Sequence, residues 1–269
     1  MASLYRTAAA VCLVGLYGLQ SEAAGTTITY KFTPIVVDDA GYVAANLVRN
    51  GKLPVHISAV AKDDNLVSTL TETVKTKESK VPVENERDTI DKTCSVLVEP
   101  EGLKDIFHYT FEYNDSASKS SPNYRELLQK ALEAGLEIFK NAEYQNNWGK
   151  IWNDDAGGSL AYLLGANSTT IGCVIGQCTT EKSTNPGGRS STATPTGNAV
   201  LFCTLKPAAQ KGEAPFDDEY FTGLIARTAK LADMTEEDLK APTNDGTAAA
   251  AVPTLLAAGL VAVLTALPA

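Results

Sequence analysis

The sequence predicts an α/β fold, a three-layer α-β-α sandwich in which helices flank a small, mainly antiparallel central sheet. Two observations lead to this class. Segments with apolar residues at helical spacing alternate with short runs rich in β-branched and aromatic residues. The chain has 269 residues, of which 44% are hydrophobic, so it can form a core of ordinary size. A single domain over residues 24–244 is the simplest organisation.

The first predicted elements are amphipathic helices. Asp38 or Asp39 can cap a helix that ends near Gly51, since a short acidic side chain accepts hydrogen bonds from free backbone N–H groups. A second helix is centred on Leu70, which shares a face with the apolar residues one turn before and after it. The charged stretch 75–93 that follows is typical of a solvated connection.

Strands and the longest helix occupy the middle of the chain. Residues 94–98 and 106–113 have the β-branched and aromatic content of strands. The clearest helix of the sequence then begins with Ser121 as its predicted cap and Pro122 in its first turn, and it continues towards residue 146.

Two central strands are predicted further along. Trp148 and Trp152 precede them and are expected to seal the core. Residues 170–178 and 199–205 are the strand candidates. The stretch 181–198 between them is rich in Ser, Thr, Gly and Pro, which predicts a mobile loop.

Short helices complete the prediction. One precedes Asn167, one is capped by Asp217 or Asp218, and one begins at Thr235. Two pairs of adjacent acidic residues, 154–155 and 217–218, could bind cations. Such pairs before a helix are usually helix caps.

The formal net charge of −9 at pH 7 excludes two classes of partner. A nucleic-acid-binding protein needs a stripe of Lys and Arg that displaces counterions from phosphates. Adhesion to anionic lipid headgroups likewise requires a basic patch. We therefore expect neither nucleic acid nor anionic lipid among the partners of this chain.

The N-terminus has the layout of a secretory signal peptide over residues 1–23. Arg6 supplies the positive charge, residues 7–19 are apolar, and the small residues Ser21 and Ala23 precede the predicted cleavage site. The apolar stretch is too short to span a bilayer. We expect the domain to be exported and this segment to be removed.

The C-terminus predicts attachment of a glycosylphosphatidylinositol (GPI) lipid. Three small residues begin at Asn244, an uncharged spacer follows over 247–254, and residues 255–269 form an apolar tail. Asn244 is the predicted attachment residue, although the triplet 246–248 would also serve. The competing interpretation is a transmembrane helix, but no Lys or Arg follows the tail to hold its far end in the cytosol. Residues 245–269 are then removed, and the lipid holds the domain on the outer leaflet of the plasma membrane.

Four cysteines remain after the signal: Cys94, Cys173, Cys178 and Cys203. An even number in an exported chain predicts two disulfides, for which three pairings are possible. If the intervening residues continue a strand, Cys173 and Cys178 lie about 16 Å apart, beyond the reach of a disulfide. Each is then expected to pair with Cys94 or Cys203. A tight turn at residues 176–177 would remove this argument.

Two Asn-x-Ser/Thr sequons predict glycosylation at the surface. They begin at Asn114 and Asn167. Short sequons also arise by chance. Each one therefore predicts that the asparagine is exposed at the surface, and only secondarily that it carries a glycan.

No catalytic, metal-binding or cofactor-binding pattern is present. The sequence lacks Gly-x-Ser-x-Gly, His-Glu-x-x-His and Cys-x-x-Cys. Its two histidines, His56 and His108, are far apart in the chain, and His108 lies in an apolar and aromatic run that favours a structural role. We expect no catalytic residues, no metal site and no cofactor.

Two segments resemble the CAP proteins (cysteine-rich secretory, antigen 5, pathogenesis-related). Residues 46–55 resemble the first-helix segment of that family, with Asn46, then Arg49, then a Leu-Pro pair before an apolar residue. Residues 158–178 look like its central signature, and residues 200–203 match the cysteine-bearing strand that follows. Together with the two terminal signals, the chain is most similar to the coccidian (Eimeria-type) SAG surface antigens.

This resemblance implies a CAP-like α-β-α fold and a coat protein of invasive parasite stages. It also implies a role in host-cell attachment or immune recognition, with an unidentified host receptor or glycan and host antibodies as partners. CAP proteins often bind a divalent metal through a His/Glu tetrad, but the histidine of the central signature falls at Ser159 here. The metal cleft is therefore expected to be absent.

Two other functions stay open. A carrier of sterol or fatty acid is the alternative, because CAP-like folds can hold lipids between their helices. A hydrolase with an unorthodox cleft that uses His56 or His108 is the third hypothesis.

Overall fold

The computed structural model describes residues 26–83, 92–99, 102–113, 121–141, 147–183 and 192–240. The strands are β1 (Thr26–Val36), β2 (Ala61–Lys62), β3 (Glu78–Val83), β4 (Phe107–Glu112), β5 (Thr170–Ser183) and β6 (Thr194–Lys206). The helices are α1 (Asp39–Asn50), α2 (Asp64–Thr76), α3 (Ser95–Val98), α4 (Tyr124–Asn141), α5 (Trp148–Asn153), α6 (Asp155–Leu163) and α7 (Asp218–Ala226). Two 3₁₀ turns follow at Leu231–Asp233 and Glu236–Leu239.

The six strands form one sheet. Its main order is β3-β1-β5-β6-β4, and all of these neighbours are antiparallel. The short β2 pairs in parallel with β5. Residues 171–179 of β5 are all buried, since this strand has neighbours on both edges and side chains packed on both faces. The predicted α/β class and mainly antiparallel sheet are confirmed, while the CAP-like sandwich stays a prediction.

Acidic residues begin four of the helices. The carboxylate of Asp38 accepts a hydrogen bond from the backbone N–H of Ala40 at the start of α1. Asp63, Asp154 and Asp217 cap α2, α6 and α7 in the same way. These contacts satisfy N–H groups that have no partner inside the helix. The predictions that Asp38 or Asp39 caps α1, and that the later acidic pairs are helix caps, are confirmed.

Two glycines allow helices to approach their neighbours closely. A Cβ atom at Gly172 of β5 would lie 2.6 Å from the Cβ of Leu66, so α2 sits directly on the central strand. A Cβ atom at Gly135 of α4 would lie 2.5 Å from the Cβ of Leu160 on α6. Both distances are shorter than van der Waals contact, so a larger residue would push the elements apart.

An aromatic cluster fills the core beside α4. The rings of Phe139 and Trp148 meet edge to face with centroids 5.7 Å apart, and Trp148 meets Phe216 in the same way at 5.5 Å. Trp152 is also buried, and its indole N–H donates to the carbonyl of Glu213 at 2.7 Å. The prediction that both tryptophans seal the core is confirmed.

Three local predictions were wrong. Residues 94–98 contain the short helix α3 rather than a strand, because Cys94 turns the chain with a φ of 54° immediately before it. Part of the predicted connection 75–93 is the edge strand β3, whose mostly exposed residues hide the two-residue period. The predicted loop 181–198 is shorter, because β5 continues to Ser183 and β6 begins at Thr194.

The cap of α4 also differs from the prediction. Asn123, not Ser121, accepts a hydrogen bond from the backbone N–H of Glu126. The hydroxyl of Ser121 donates to the carboxylate of Asp38 and so joins the starts of α4 and α1.

Candidate functional site

The two disulfides join distant parts of the chain. Cys173 on β5 bonds to Cys203 on β6, with Cα atoms 4.2 Å apart. Cys178, next to a register shift between Gln177 and Thr179, bonds to Cys94 before α3, with Cα atoms 5.8 Å apart. The sequence left open which distant cysteine each of the β5 pair would meet. The extended path of β5 keeps Cys173 and Cys178 apart, so each bonds across the fold.

The predicted modification sites lie at different places. Asn167 is exposed in the turn between α6 and β5, where an attached glycan would extend into solvent. Asn114 and the predicted GPI residue Asn244 lie outside the described residues. Within the part of the chain that the structure describes, no helix has the length and apolar character needed to cross a membrane.

Asn46, in the first CAP-like segment, holds a loop in place. Its side-chain amide donates to the carbonyl of Val60 and accepts from the N–H of the same residue, both at 2.9 Å. Four residues later, the Asn50 side chain accepts from the N–H of Ile57 at 2.9 Å. The two side chains fix the loop between α1 and β2 along the helix.

Arg49 of the same segment is fully buried. Its guanidinium donates to the carbonyls of Leu163 at 2.6 Å, Ser58 at 2.7 Å and Gly165 at 3.0 Å. Burial lowers the pKa of Arg49 to about 10, so the group keeps its charge at neutral pH. The motif that supports the resemblance thus has a structural function here, tying α1 to the chain around residues 163–168.

A second guanidinium contacts the same C-terminal end of α1. Arg227 donates to the carbonyls of Leu47, Val48 and Gly51, each at 3.1 Å, and so satisfies the C-terminal carbonyls of α1. The buried hydroxyl of Tyr220 donates to the carbonyl of Arg49 at 2.6 Å, and burial raises the pKa of Tyr220. These contacts join the C-terminal end of α1 to α7 and to the residue that follows it.

Ser159 of α6 contacts the backbone of His108 on β4. The Ser159 hydroxyl accepts from the N–H of His108 at 2.9 Å and donates to its carbonyl at 2.6 Å. The His108 ring Nδ1 lies 3.0 Å from the carbonyl of Ile106. His56 is elsewhere, after α1, and burial lowers its pKa. Among the described residues, no group of three His, Cys, Asp or Glu side chains is placed to hold a metal ion.

A groove of about 670 Å³ lies between the edge strand and α4. One wall is residues 109–113, and the other runs from Ser121 along the first turns of α4 to Lys130. Asn198 of β6 lies at its side. The rings of Phe111 and Tyr113 meet edge to face with centroids 5.9 Å apart. The groove therefore combines half-buried aromatic rings with exposed polar groups.

The charges of the groove are partly paired. Lys130 Nζ lies 2.8 Å from a carboxylate oxygen of Glu126, and this contact raises the pKa of Lys130 and lowers that of Glu126. Glu112 also faces the groove and adds to the field at Lys130. Rings next to amides and carboxylates are suited to binding a polar ligand through stacking and hydrogen bonds.

The sequence alone does not indicate this groove. Its residues come from 109–113, from 121–130 and from Asn198, and only the β4–β6 register and the docking of α4 bring them together. The one available signal was the alternation of Tyr109, Phe111 and Tyr113, which places three aromatic rings on one face of a strand.

Comparison with known proteins finds similarity at the level of structure. No protein-family model matches the chain, and no curated protein matches it. Among solved structures, the crystal structure of the Eimeria tenella surface antigen protein SAG19 is similar, with 14% sequence identity and a TM-score of 0.39. The match covers 72% of this chain and 97% of that chain. This similarity assigns no role to any residue of this chain.

Proposed function

We propose that this chain is a non-enzymatic surface antigen, exported through the secretory pathway and held on the outer leaflet of the plasma membrane by a GPI lipid. The observation that carries the proposal is that Cys94, Cys173, Cys178 and Cys203 all form disulfides. Disulfides of this kind persist outside the reducing cytosol. The signal over residues 1–23 and the anchor signal over 245–269 supply the route and the attachment.

Host-cell attachment and recognition by host antibodies are the proposed roles of the exposed domain. A protein anchored only by lipid has no cytosolic part, so it acts by binding or by being bound. The groove between β4 and α4 supports a binding role, because its aromatic rings and polar groups are open to solvent. Its charged residues Glu112, Glu126 and Lys130 do not favour the acyl chain that the alternative lipid-carrier function requires.

The non-enzymatic assignment is part of the proposal. His108 contributes its backbone to the contact with Ser159, and its ring nitrogen lies beside a carbonyl. His56 lies beyond the end of α1, so the two histidines contribute to different parts of the fold. The hydrolase hypothesis would require activity that is lost when His56 or His108 is replaced.

The anchoring is tested on intact cells that express the full chain. Phosphatidylinositol-specific phospholipase C should release the domain into the supernatant, because the enzyme cuts the lipid that holds it. A variant truncated after Asn244 should appear in the medium without the enzyme. Retention of the full chain, while a known GPI-anchored protein is released from the same cells, would overturn the anchoring proposal.

Attachment is tested separately with the purified domain of residues 24–244. Saturable binding to host cells is expected, and a domain with its disulfides reduced is the control for folding. Absence of binding would remove attachment and leave a coat protein seen by antibodies. Saturable binding of sterol or palmitate in a parallel titration would instead favour the lipid carrier.

A further inference from the structure

The outer edge of β4 has a regular pattern of backbone groups. β4 is the last strand of the sheet and pairs with β6 on one side only. The N–H of Tyr113 donates to the carbonyl of Gly197 on the β6 side at 2.8 Å. Because backbone groups alternate along an antiparallel strand, residues 107, 109 and 111 also bond towards β6. The N–H and carbonyl groups of His108, Thr110 and Glu112 therefore point to the outer edge.

Ser159 occupies only the first position of this edge. Its hydroxyl binds both backbone groups of His108. This contact confirms that the backbone N–H and carbonyl groups of the even-numbered residues point to the outer edge. Thr110 and Glu112 are exposed, and in the described part of the chain no hydrogen bond reaches their outward backbone groups. The outward N–H and carbonyl groups of Thr110 and Glu112 thus provide two donors and two acceptors, spaced two residues apart as in a β-strand.

The groove supplies space for an additional strand at this position. Residues 109–113 form one wall of its volume of about 670 Å³, and the first turns of α4 form the other. Five residues of extended chain cover about 13 Å between their first and last Cα atoms. The wall of the groove therefore includes Thr110 and Glu112, whose outward backbone groups have no partner among the described residues.

The opposite edge of the sheet is protected, in contrast with β4. The outer strand β3 carries Lys80 and Pro82, and both are exposed. A lysine and a proline on an edge strand discourage the addition of another strand. Residues 107–112 contain neither residue type and carry three aromatic rings, those of Phe107, Tyr109 and Phe111.

We propose that the edge of β4 at Thr110 and Glu112 binds an extended segment of a partner polypeptide as an added β-strand. Backbone pairing requires this class of ligand, because only a polypeptide presents alternating N–H and carbonyl groups at the matching repeat. Glu112 has no ion pair within the described residues, so a basic side chain in the peptide complements it. The inference deepens the proposed surface function. It rests on that function only for the place where the partner binds, which is the cell surface.

The test uses the purified domain of residues 24–244 and a displayed library of random heptapeptides. Peptides enriched on the wild-type domain should contain Lys or Arg and should bind the Glu112→Pro variant about tenfold more weakly. Proline removes the free N–H and obstructs the edge, yet an unpaired edge position tolerates it in the fold. Glu112→Gln keeps the N–H and is the matched control. Its loss of peptide affinity should be smaller and measures the contribution of the charge.

A second measurement needs no variant of the protein. The best peptide is synthesised with N-methyl groups on alternate residues, in both registers. Methylation in one register should abolish binding, because it blocks the N–H groups that face β4, and methylation in the other should leave binding nearly unchanged. Thr110→Pro provides a second variant if Glu112→Pro fails to fold.

Three results would overturn the inference. One is a library selection that enriches no peptide on the folded domain. Another is equal affinity of the two N-methylated peptides. The third is a neutral oligosaccharide that binds the groove and displaces the selected peptides. The affinity of this oligosaccharide would be the same for the wild type and for Glu112→Pro. Each of these results is independent of lipase release, so failure here differs from failure of the anchoring proposal.

Discussion

The hydroxyl of Ser159 on α6 forms both backbone hydrogen bonds of His108 on β4, accepting from its N–H at 2.9 Å and donating to its carbonyl at 2.6 Å. One side chain thereby replaces a residue of a neighbouring strand. Ser159 is only 5% exposed, so water does not easily substitute for it. Ser159 therefore makes a structural contact between α6 and β4.

Replacement of Ser159 by alanine should lower the free energy of unfolding by about 2 kcal/mol, because it leaves a backbone donor and acceptor without a partner. Thr110→Ala on the same strand is the control, since Thr110 is exposed. Its effect should stay within about 0.5 kcal/mol. Urea denaturation monitored by tryptophan fluorescence measures both variants. Equal effects would show that the Ser159 contact adds nothing specific.

Arg227→Met should also destabilise the domain, by about 2 kcal/mol or more, since the carbonyls of Leu47, Val48 and Gly51 lose the guanidinium as a donor, and only Leu47 keeps the N–H of Gly51. Lys230→Met is the matched control, because Lys230 is exposed and close in the chain. Thermal unfolding by circular dichroism compares the two. A control variant as unstable as Arg227→Met would count against the role of Arg227 in closing α1.

The two disulfides should contribute differently to stability. Cys94–Cys178 spans 84 residues and Cys173–Cys203 spans 30. Loop-closure entropy predicts losses of about 4.5 and about 3.5 kcal/mol when each pair is replaced by alanines. Chemical denaturation of the two double variants tests the order. A larger loss for the shorter loop would mean that packing in the sheet outweighs chain entropy.

Alkaline pH should weaken the fold through Tyr124. Burial, with the charge of Asp38 in addition, raises the pKa of Tyr124 from 10.0 to about 12. The unfolded chain therefore loses this proton at a lower pH than the folded chain. The stabilisation is complete below pH 10 and is lost as the pH rises towards 12. Melting temperatures at pH 8, 10 and 11 should fall less steeply for Tyr124→Phe than for the wild type.

Glycosylation at Asn167 is expected in cells of the secretory pathway, because its side chain is exposed in a turn. Replacement by glutamine should reduce the mass of the secreted domain by one glycan, seen as a shift on gels that is lost after glycosidase treatment. Asn114→Gln tests the second sequon independently. Identical mobility of wild type and Asn167→Gln would show that the turn is not modified.

Local signals explain most of what the sequence could predict. Asp38 and Asp217 are recognisable as caps because a helix start needs only a nearby acceptor. The strands β5 and β6 are visible as apolar runs because the centre of a sheet buries both faces. No strand was predicted over residues 26–36, although Ile28, Tyr30 and Phe32 alternate and are all buried.

Non-local contacts explain what the sequence could not predict. The edge strand β3 is stabilised by pairing with β1, so its own residues show little pattern. The pairing of Cys173 with Cys203 depends on the register of β5 against β6, which no single segment specifies. The groove depends on the docking of α4 beside β4, and the function of Arg49 depends on carbonyls more than a hundred positions away.

The two disulfides overlap along the chain, because Cys173 lies inside the loop that Cys94 and Cys178 close, and Cys203 lies outside it. At least one disulfide therefore bridges every peptide bond between Cys94 and Cys203. A protease that cuts the exposed domain once in this interval leaves both fragments covalently joined. The nicked molecule would stay in one piece and separate only after reduction.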